Sequence, residues 1–223
     1  MGQHIVKIKS IGKVTHDVLQ IVTEKPPAYT FFSGQATDVS INITNWKDEK
    51  RPFTFTCLPD NDYIEFTIKT YPSHKSVTNQ LLQLTKGDEL ILHDVFGDIA
   101  YKDEGVFIGG GAGVTPFISI FRYLHSKNEI ANNKLIFANK TKADIILEEE
   151  FKNLLGANFI NILSDEKVDG YANGYITEDF LKVNIGDLNK NFYVCGPPPM
   201  MDAIEKILAN LHVDEKLIIK EAF

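Results

Sequence analysis

The sequence predicts a two-part fold, a six-stranded antiparallel β-barrel followed by an α/β domain built on a parallel sheet. Two observations predict it. Over residues 1–101, short runs rich in β-branched and aromatic residues recur between turn clusters, the pattern of an antiparallel barrel. Over residues 102–223, apolar strands alternate with helical segments, which is how a parallel sheet covered on both faces reads. The rhythm changes near residues 98–104.

The barrel strands are expected at 4–11, 18–24, 37–44, 52–58, 63–70 and 89–95, separated by clusters such as EKPPA, NWKDEK and LPDND. The one helical pattern in this half is SVTNQLLQL at 76–84, where Val77, Leu81 and Leu84 share a face. In the second half, GVFIGGG at 105–111 is a buried strand running into glycines, and a helix over 114–126 follows it. Further strands are expected at 134–139, 158–164, 191–196 and 216–223, and further helices at 147–155, 177–182 and 198–211.

Composition narrows the function. No run approaches the ~20 apolar residues that span a bilayer, and MGQHIVKIKS alternates apolar and polar residues without a secretory h-region, so a cytoplasmic location without a membrane span is expected. The two cysteines, Cys57 and Cys195, are too few for an iron–sulfur site. The six histidines show no paired spacing, so no metal is expected. A net charge of −7 argues against nucleic acid as a partner. Only two of the 23 basic residues are arginines, Arg51 and Arg122. A chain that otherwise uses lysine keeps arginine where a planar fork matters, and for Arg51 the expected target is a phosphate.

Four segments carry chemistry. GGGAGVTPF at 109–117 joins the end of an apolar strand to the start of a helix, so its glycines let backbone approach a pyrophosphate and the helix amides face it. Pro116 suits a first helical turn. NFYVCGPPPMMDAI at 191–204 ends a strand at Cys195-Gly196 and starts a helix after three prolines. Alone it reads as a proline-rich turn beside a core cysteine, but ligands of such sheets collect at carboxyl ends of strands, which puts it in one cleft with residues 109–116. RPFTFT at 51–56 is by itself a strand with a charged start, and KSVTNQLLQL at 75–84 is a polar turn opening a helix that could bind a further phosphate.

In order, RPFT, KSVT with its helix, GD, FG, GGGAGVTP, CGPPPM and a terminal EAF resemble the ferredoxin–NADP⁺ reductase family, whose members include flavodoxin reductases, cytochrome b5 reductase and oxygenase reductase components. The resemblance covers nearly the whole chain. It implies a six-stranded FAD-binding barrel and a five-stranded NAD(P)-binding sheet, with nicotinamide meeting flavin between them. It implies that Arg51 binds the flavin pyrophosphate, that Phe53 packs on the isoalloxazine and that Thr54 lies near flavin N5, with Pro52 between them. Phe53 stands where tyrosine is commoner, which removes a phenolic hydrogen bond. Lys75, Ser76, Val77 and Thr78 match a GxxS/T turn, with Lys75 in place of its glycine. Ile68, Lys69, Thr70 and Tyr71 match the strand lining the FAD diphosphate and ribityl.

On the nucleotide side the resemblance implies contacts from Gly110, Gly111, Ala112, Gly113, Thr115 and Pro116, with Thr115 also near the flavin. Asn139 and Lys140, then Ser164 and Asp165, follow the next two strands. Cys195 matches the cysteine beside nicotinamide C4, with Gly196, Pro197 and Met200 as neighbours. Thr54, Cys195 and Glu221 are the implied tuning residues around cofactors that carry the chemistry. Phe223 matches an aromatic that stacks near the flavin; by itself it also reads as the buried end of a last strand.

The Ser164-Asp165-Glu166 run replaces the Ser-Arg pair that grips a 2′-phosphate in NADPH-dependent relatives, which predicts NADH over NADPH; Lys140 and Lys142 nearby are available to a phosphate. Electrons are expected to leave to a separate acceptor, a small redox protein such as flavodoxin or ferredoxin, or an oxygenase component, with the oligomeric state left open. The alternative is a non-catalytic flavin- and nucleotide-binding redox sensor of the same fold.

Overall fold

The computed structural model describes residues 2–71 and 76–221; Lys75 and Phe223 lie outside the described residues. In the first half, β1 (His4–Lys13), β2 (Val18–Glu24), β3 (Ala36–Ile41), β4 (Arg51–Thr54), β5 (Tyr63–Lys69) and β6 (Glu89–Phe96) form one sheet in the order β4-β3-β6-β1-β2-β5. Every pairing is antiparallel. The two edge strands meet just beyond β4, where Phe55 bridges Phe66 of β5 and brings the sheet round on itself. Alternation does the sorting: in β1, Val6 and Ile8 enter the core while Lys7 and Lys9 face water. Pro52 sits on the edge strand β4, the place where its missing N–H is tolerated.

The expected helix over 76–84 is shorter than its pattern. Val77–Gln80 (α1) is a single α-turn, continued by a 3₁₀ turn at Leu81–Gln83. Its apolar face is still used, since Val77, Leu81 and Leu84 are all buried in the barrel core. So short an element is held by that burial and not by its own hydrogen bonds.

In the second half, β7 (Gly105–Gly110), β8 (Lys134–Asn139), β9 (Phe159–Leu163), β10 (Ala172–Asn173), β11 (Asn191–Cys195) and β12 (Ile218–Lys220) pair in parallel in the order β10-β9-β8-β7-β11-β12. The five expected strands are there, and the two-residue β10 adds a sixth at the edge. Helices α2 (Thr115–Ser126), α3 (Glu148–Leu155), α4 (Glu178–Asn184) and α5 (Pro198–Asn210) cover the faces. From β7 the order runs outward to β8 and β9 on one side and to β11 and β12 on the other. The crevice outside the carboxyl ends of β7 and β11 is therefore the topological switch point, where open α/β sheets take their ligands.

The two halves share core. Val18 of β2 is buried among Phe117, Phe121 and Ile99. The connection between the sheets is tied down by Tyr193 of β11, whose hydroxyl accepts from the Lys102 and Asp103 amides and donates to the Asp103 carbonyl. Among the described residues no helix is long and apolar enough to cross a membrane.

Candidate functional site

The two turns expected to share a cleft do so, and glycine is what lets them. After β7 the chain passes through Gly111, at φ +51°, and a 3₁₀ turn over Gly111–Val114 before α2 begins. After β11 it passes through Gly196 and Pro197 into α5. A β-carbon added to Gly113 would lie 2.5 Å from the Cys195 carbonyl carbon and 2.6 Å from Gly196 Cα. Gly110 lies against Met200 and Pro197, where an added carbon would come within 3.1 Å of Pro197 Cδ. The turns interlock backbone to backbone at the switch point. Thr115 stabilises the first of them by donating from Oγ1 to the Ala112 carbonyl at 3.0 Å, and the buried Pro116 occupies the first turn of α2.

Glu221, just past β12, reaches over this junction toward the barrel. Its carboxylate oxygen lies 3.2 Å from where a β-carbon on Gly97 would stand, and the same point is 3.5 Å from the Ala36 nitrogen. Ala36 is registered opposite both Thr54 of β4 and Phe96 of β6. Thr54, Glu221 and Cys195 thus gather where the barrel edge meets the ends of β11 and β12. Burial, then the charge of Asp98, holds the Glu221 carboxyl above the ordinary carboxylate range. Burial, with Glu221 nearby, pushes the Cys195 thiol up to about 12, so it sits there as a neutral, small, polarisable group.

Along β4, Arg51 is 47% exposed and loosely held, with Nη1 3.9 Å from Glu49 and donating to the Lys50 carbonyl. Phe53 is half-buried, tilted against Phe66 with ring centroids 6.3 Å apart. The strand that follows, β5, is tied into the barrel. Ile68 turns its side chain into the barrel core. Lys69 pairs with Asp17 at 2.8 Å, and Thr70 donates to the Asp17 carbonyl from both its amide and its hydroxyl. These residues anchor the β1–β2 hairpin, and Tyr71, which follows them, is 44% exposed. Ser76 bonds Thr78 through their hydroxyls at 2.9 Å and does not cap α1 with its side chain. α1 is a single turn of four residues, so its own dipole is small.

At the far side of the cleft, Asn139 ends β8. Its side chain is 8% exposed, yet neither its oxygen nor its nitrogen has a hydrogen-bond partner. An orphaned buried amide is costly, and at this position it fits a ligand that would complete it. Lys140 is exposed; the Ser164 and Asp165 amides donate to the Asn139 and Lys140 carbonyls, so the ends of β8 and β9 run together. Ser164 Oγ donates to the Asp165 carboxylate at 2.6 Å, and Glu166 accepts from the Lys142 amide at 2.7 Å. Two carboxylates line this corner. His16, Asp17 and Asp144 are the one histidine–carboxylate group among the described residues close enough to share a cation, and Asp17 there is already matched by Lys69.

One cluster was not anticipated. Arg122 of α2 forks Glu150 of α3 through Nε at 2.5 Å and Nη2 at 2.9 Å, while Nη1 donates to Glu65 of β5 at 2.6 Å and to the Thr56 carbonyl at 2.8 Å. The signal was available: Arg122 is the second of two arginines and stands seven residues after Thr115, on the same helical face.

The family model for an oxidoreductase NAD-binding domain matches residues 107–206, a span that contains both interlocked turns. The NADH-cytochrome b5 reductase 2 of Candida glabrata is 30% identical over 214 residues, covering 83% of this chain and 71% of that one. The reductase component of propane 2-monooxygenase from Mycolicibacterium smegmatis is 29% identical over 215 residues, covering 88% of this chain. This chain spans 61% of that relative's length, less than two thirds. Among solved structures, the flavohaem-like FAD/NAD-binding domain of a Vibrio cholerae nitric oxide dioxygenase has the same fold, with a TM-score of 0.87, 20% identity and 98% of each chain covered. A barrel and a parallel sheet joined in this order, with that level of identity to a cytochrome b5 reductase, assign the chain to the ferredoxin–NADP⁺ reductase-like family of oxidoreductases.

Proposed function

We propose that the protein is an FAD-dependent NAD(P)H oxidoreductase that takes electrons from NADH and delivers them to a separate acceptor, an oxygenase component or a small redox protein. The observation that carries this reading is the junction itself, where the interlocked turns of the nucleotide sheet meet the Thr54–Gly97 edge of the barrel through Cys195 and Glu221. The division of labour follows the two sheets, with residues 1–101 as the flavin half and 102–223 as the nucleotide half. The oxygenase and cytochrome b5 reductases among the relatives support the class of acceptor, and a cytoplasmic location suits two cysteines that are both free.

The residues present fit both cofactors. Within the 110–113 turn, Gly111 faces open space, with nothing within 4 Å of where a β-carbon would stand, and the unpartnered Asn139 amide ends the neighbouring strand. Gly111, Gly113, Thr115 and Pro116 would hold the dinucleotide with Cys195, Gly196, Pro197 and Met200 against it, and Asp165 would take the ribose hydroxyls. Arg51, exposed and bonded to the carbonyl of its own neighbour Lys50, would hold the flavin pyrophosphate, with Phe53 and Thr54 beside the ring. Bound together, the cofactors supply the hydride and electron transfer that no side chain here performs. The protein's own contribution is to orient the two rings, to keep water out through the shared core around Val18, Ile99 and Phe117, and to set the field with the half-buried Glu221 carboxyl.

The test is direct. The purified chain, incubated with FAD and desalted, is expected to be yellow, and its band near ~450 nm is expected to bleach on anaerobic addition of NADH, as flavin chemistry requires. A chain that retains no FAD overturns the proposal, and one that retains FAD but never bleaches is the redox sensor instead.

A further inference from the structure

We infer that Arg122 is a positioning residue that sets the spacing between the nicotinamide turn and the flavin edge; this rests on the function proposed above. Helix α2 carries both ends of this link. Its first turn carries Thr115 and Pro116, and its barrel-facing side carries Ser119 and Arg122, at spacings of four and three that stack on one helical face. Both reach across to the barrel. Ser119 Oγ donates to the Cys57 carbonyl at 2.8 Å, and Arg122 donates to the Thr56 carbonyl and to Glu65.

What they grip matters more than how many bonds they make. Thr56 and Cys57 lie two and three residues after Thr54, so the carbonyls that receive Ser119 and Arg122 belong to the segment that carries Arg51, Phe53 and Thr54. Glu65 lies on β5, opposite the Thr56 end of that same segment; the Thr56 hydroxyl donates to Glu65 at 2.8 Å, and Gln20 donates to its other oxygen at 3.1 Å. Glu65 is buried and fully engaged. Arg122 therefore joins a rigid point of the barrel to a helix whose amino end, about 10 Å away along seven residues, forms the nicotinamide turn. The fork to Glu150 braces the guanidinium from behind, so its plane is fixed. A buried arrangement of this kind, which ties two halves at one register, is suited to hold reacting groups within the ~0.5 Å that such sites demand.

The experiment compares Arg122→Lys, Ser119→Ala and Glu150→Gln in the full chain loaded with FAD. Arg122→Lys keeps the charge and loses the fork; Glu150→Gln weakens the brace and leaves the barrel contacts. For Arg122→Lys, FAD content and NAD⁺ affinity are expected within about twofold of wild type, while flavin reduction at saturating NADH falls at least about tenfold, since small misplacements are costly. Ser119→Ala is expected to fall in the same direction by less, and Glu150→Gln to stay within about twofold. Hydrogen exchange of the apoprotein gives a second readout, with Arg122→Lys speeding exchange at residues 56–57 and 113–119 together. Wild-type reduction in Arg122→Lys overturns the inference. So does a parallel loss of FAD, nucleotide affinity and melting temperature, which would make Arg122 a stability residue only. A wild-type chain that takes up no FAD refutes the proposed function instead, and unchanged exchange in Arg122→Lys then overturns the clamp independently.

Discussion

The glycine run after β7 allows a sharp test, because its members differ in what surrounds them. An alanine at Gly113 would place its β-carbon 2.5 Å from the Cys195 carbonyl carbon and 2.6 Å from Gly196 Cα, and the obstacle is backbone, not a side chain that can swing aside. Ordinary carbon–carbon contact is about 3.5–4.0 Å, so the two turns must part by about 1 Å. Overpacking of this kind costs about 1–3 kcal/mol, which for a chain of this size lowers Tm by about 2–12 °C. The same displacement moves the turn proposed to hold the nicotinamide relative to Cys195, and about 1 Å of misplacement is worth roughly 10²-fold in rate.

Gly109 supplies the control within the same run. There an added carbon meets the Phe117 ring and Val114 Cα at 3.5 Å, ordinary contact. Gly109→Ala is expected to keep Tm within about 2–4 °C of wild type, the equivalent of ~1 kcal/mol, and to reduce flavin at the wild-type rate. Thermal melts of both variants, followed by stopped-flow reduction with NADH, make the comparison. Wild-type melting and reduction in Gly113→Ala, or an equal loss in Gly109→Ala, would refute the interlocked-turn reasoning.

Three further outcomes follow from the same junction. With Cys195 pushed up to about 12 and Cys57 up to about 11 by burial, native protein at pH 8 should react with iodoacetamide on the order of 10³-fold more slowly than a free thiol; rapid stoichiometric labelling of Cys195 before unfolding contradicts the burial argument. The Glu221 carboxyl is raised in the folded state by burial and Asp98, so the folded protein binds the extra proton and stability is lost as pH rises from 4.5 through the folded value; Glu221→Gln should therefore melt higher than wild type at pH 8 and show no advantage at pH 4, and a pH-independent difference counts against it. With Asp165 and Glu166 at the end of β9, kcat/KM should favour NADH, and Asp165→Asn should lower the NADH:NADPH ratio by about tenfold, roughly 1.4 kcal/mol; a wild-type preference for NADPH, or an unchanged ratio in the variant, removes Asp165 from nucleotide selection.

The features that sequence made legible are those in which one local rule governs one local structure. Alternation placed Val6 and Ile8 inward along β1, and an all-apolar strand ending in glycines announced β7 as fully buried. The meeting of the Gly111–Pro116 and Cys195–Pro197 turns was also legible, because strand order in a doubly wound sheet brings such ends together. What escaped was decided by partners far away in the chain. The apolar spacing in residues 76–84 described the right face but not the length, since the barrel core uses that face in one turn of α1 and a 3₁₀ turn. Asp17 engages both Lys69 and Thr70 from more than fifty residues earlier, a pairing that no local pattern announces.

The two arginines make the point most clearly. Their scarcity implied that each needs its planar fork, and the fold separates how the need is met. Arg51 is exposed, and its own protein contacts, a 3.9 Å approach to Glu49 and a bond to its neighbour's carbonyl, leave the fork undemanded. Arg122 is fully engaged: burial works against its charge, but the hydrogen bonds and charges of Glu150 and Glu65 outweigh that and hold the guanidinium more firmly protonated than usual. A buried charge removed from such a cluster leaves two carboxylates unpaired, which is strongly destabilising, so Arg122 is kept for protein. Arg51 loses little when its present partners are removed, because an exposed pair contributes at most about 1 kcal/mol, so structure alone gives no reason for arginine there. A ligand that offers two anionic oxygens to the fork does give one, and the pyrophosphate proposed above is such a ligand.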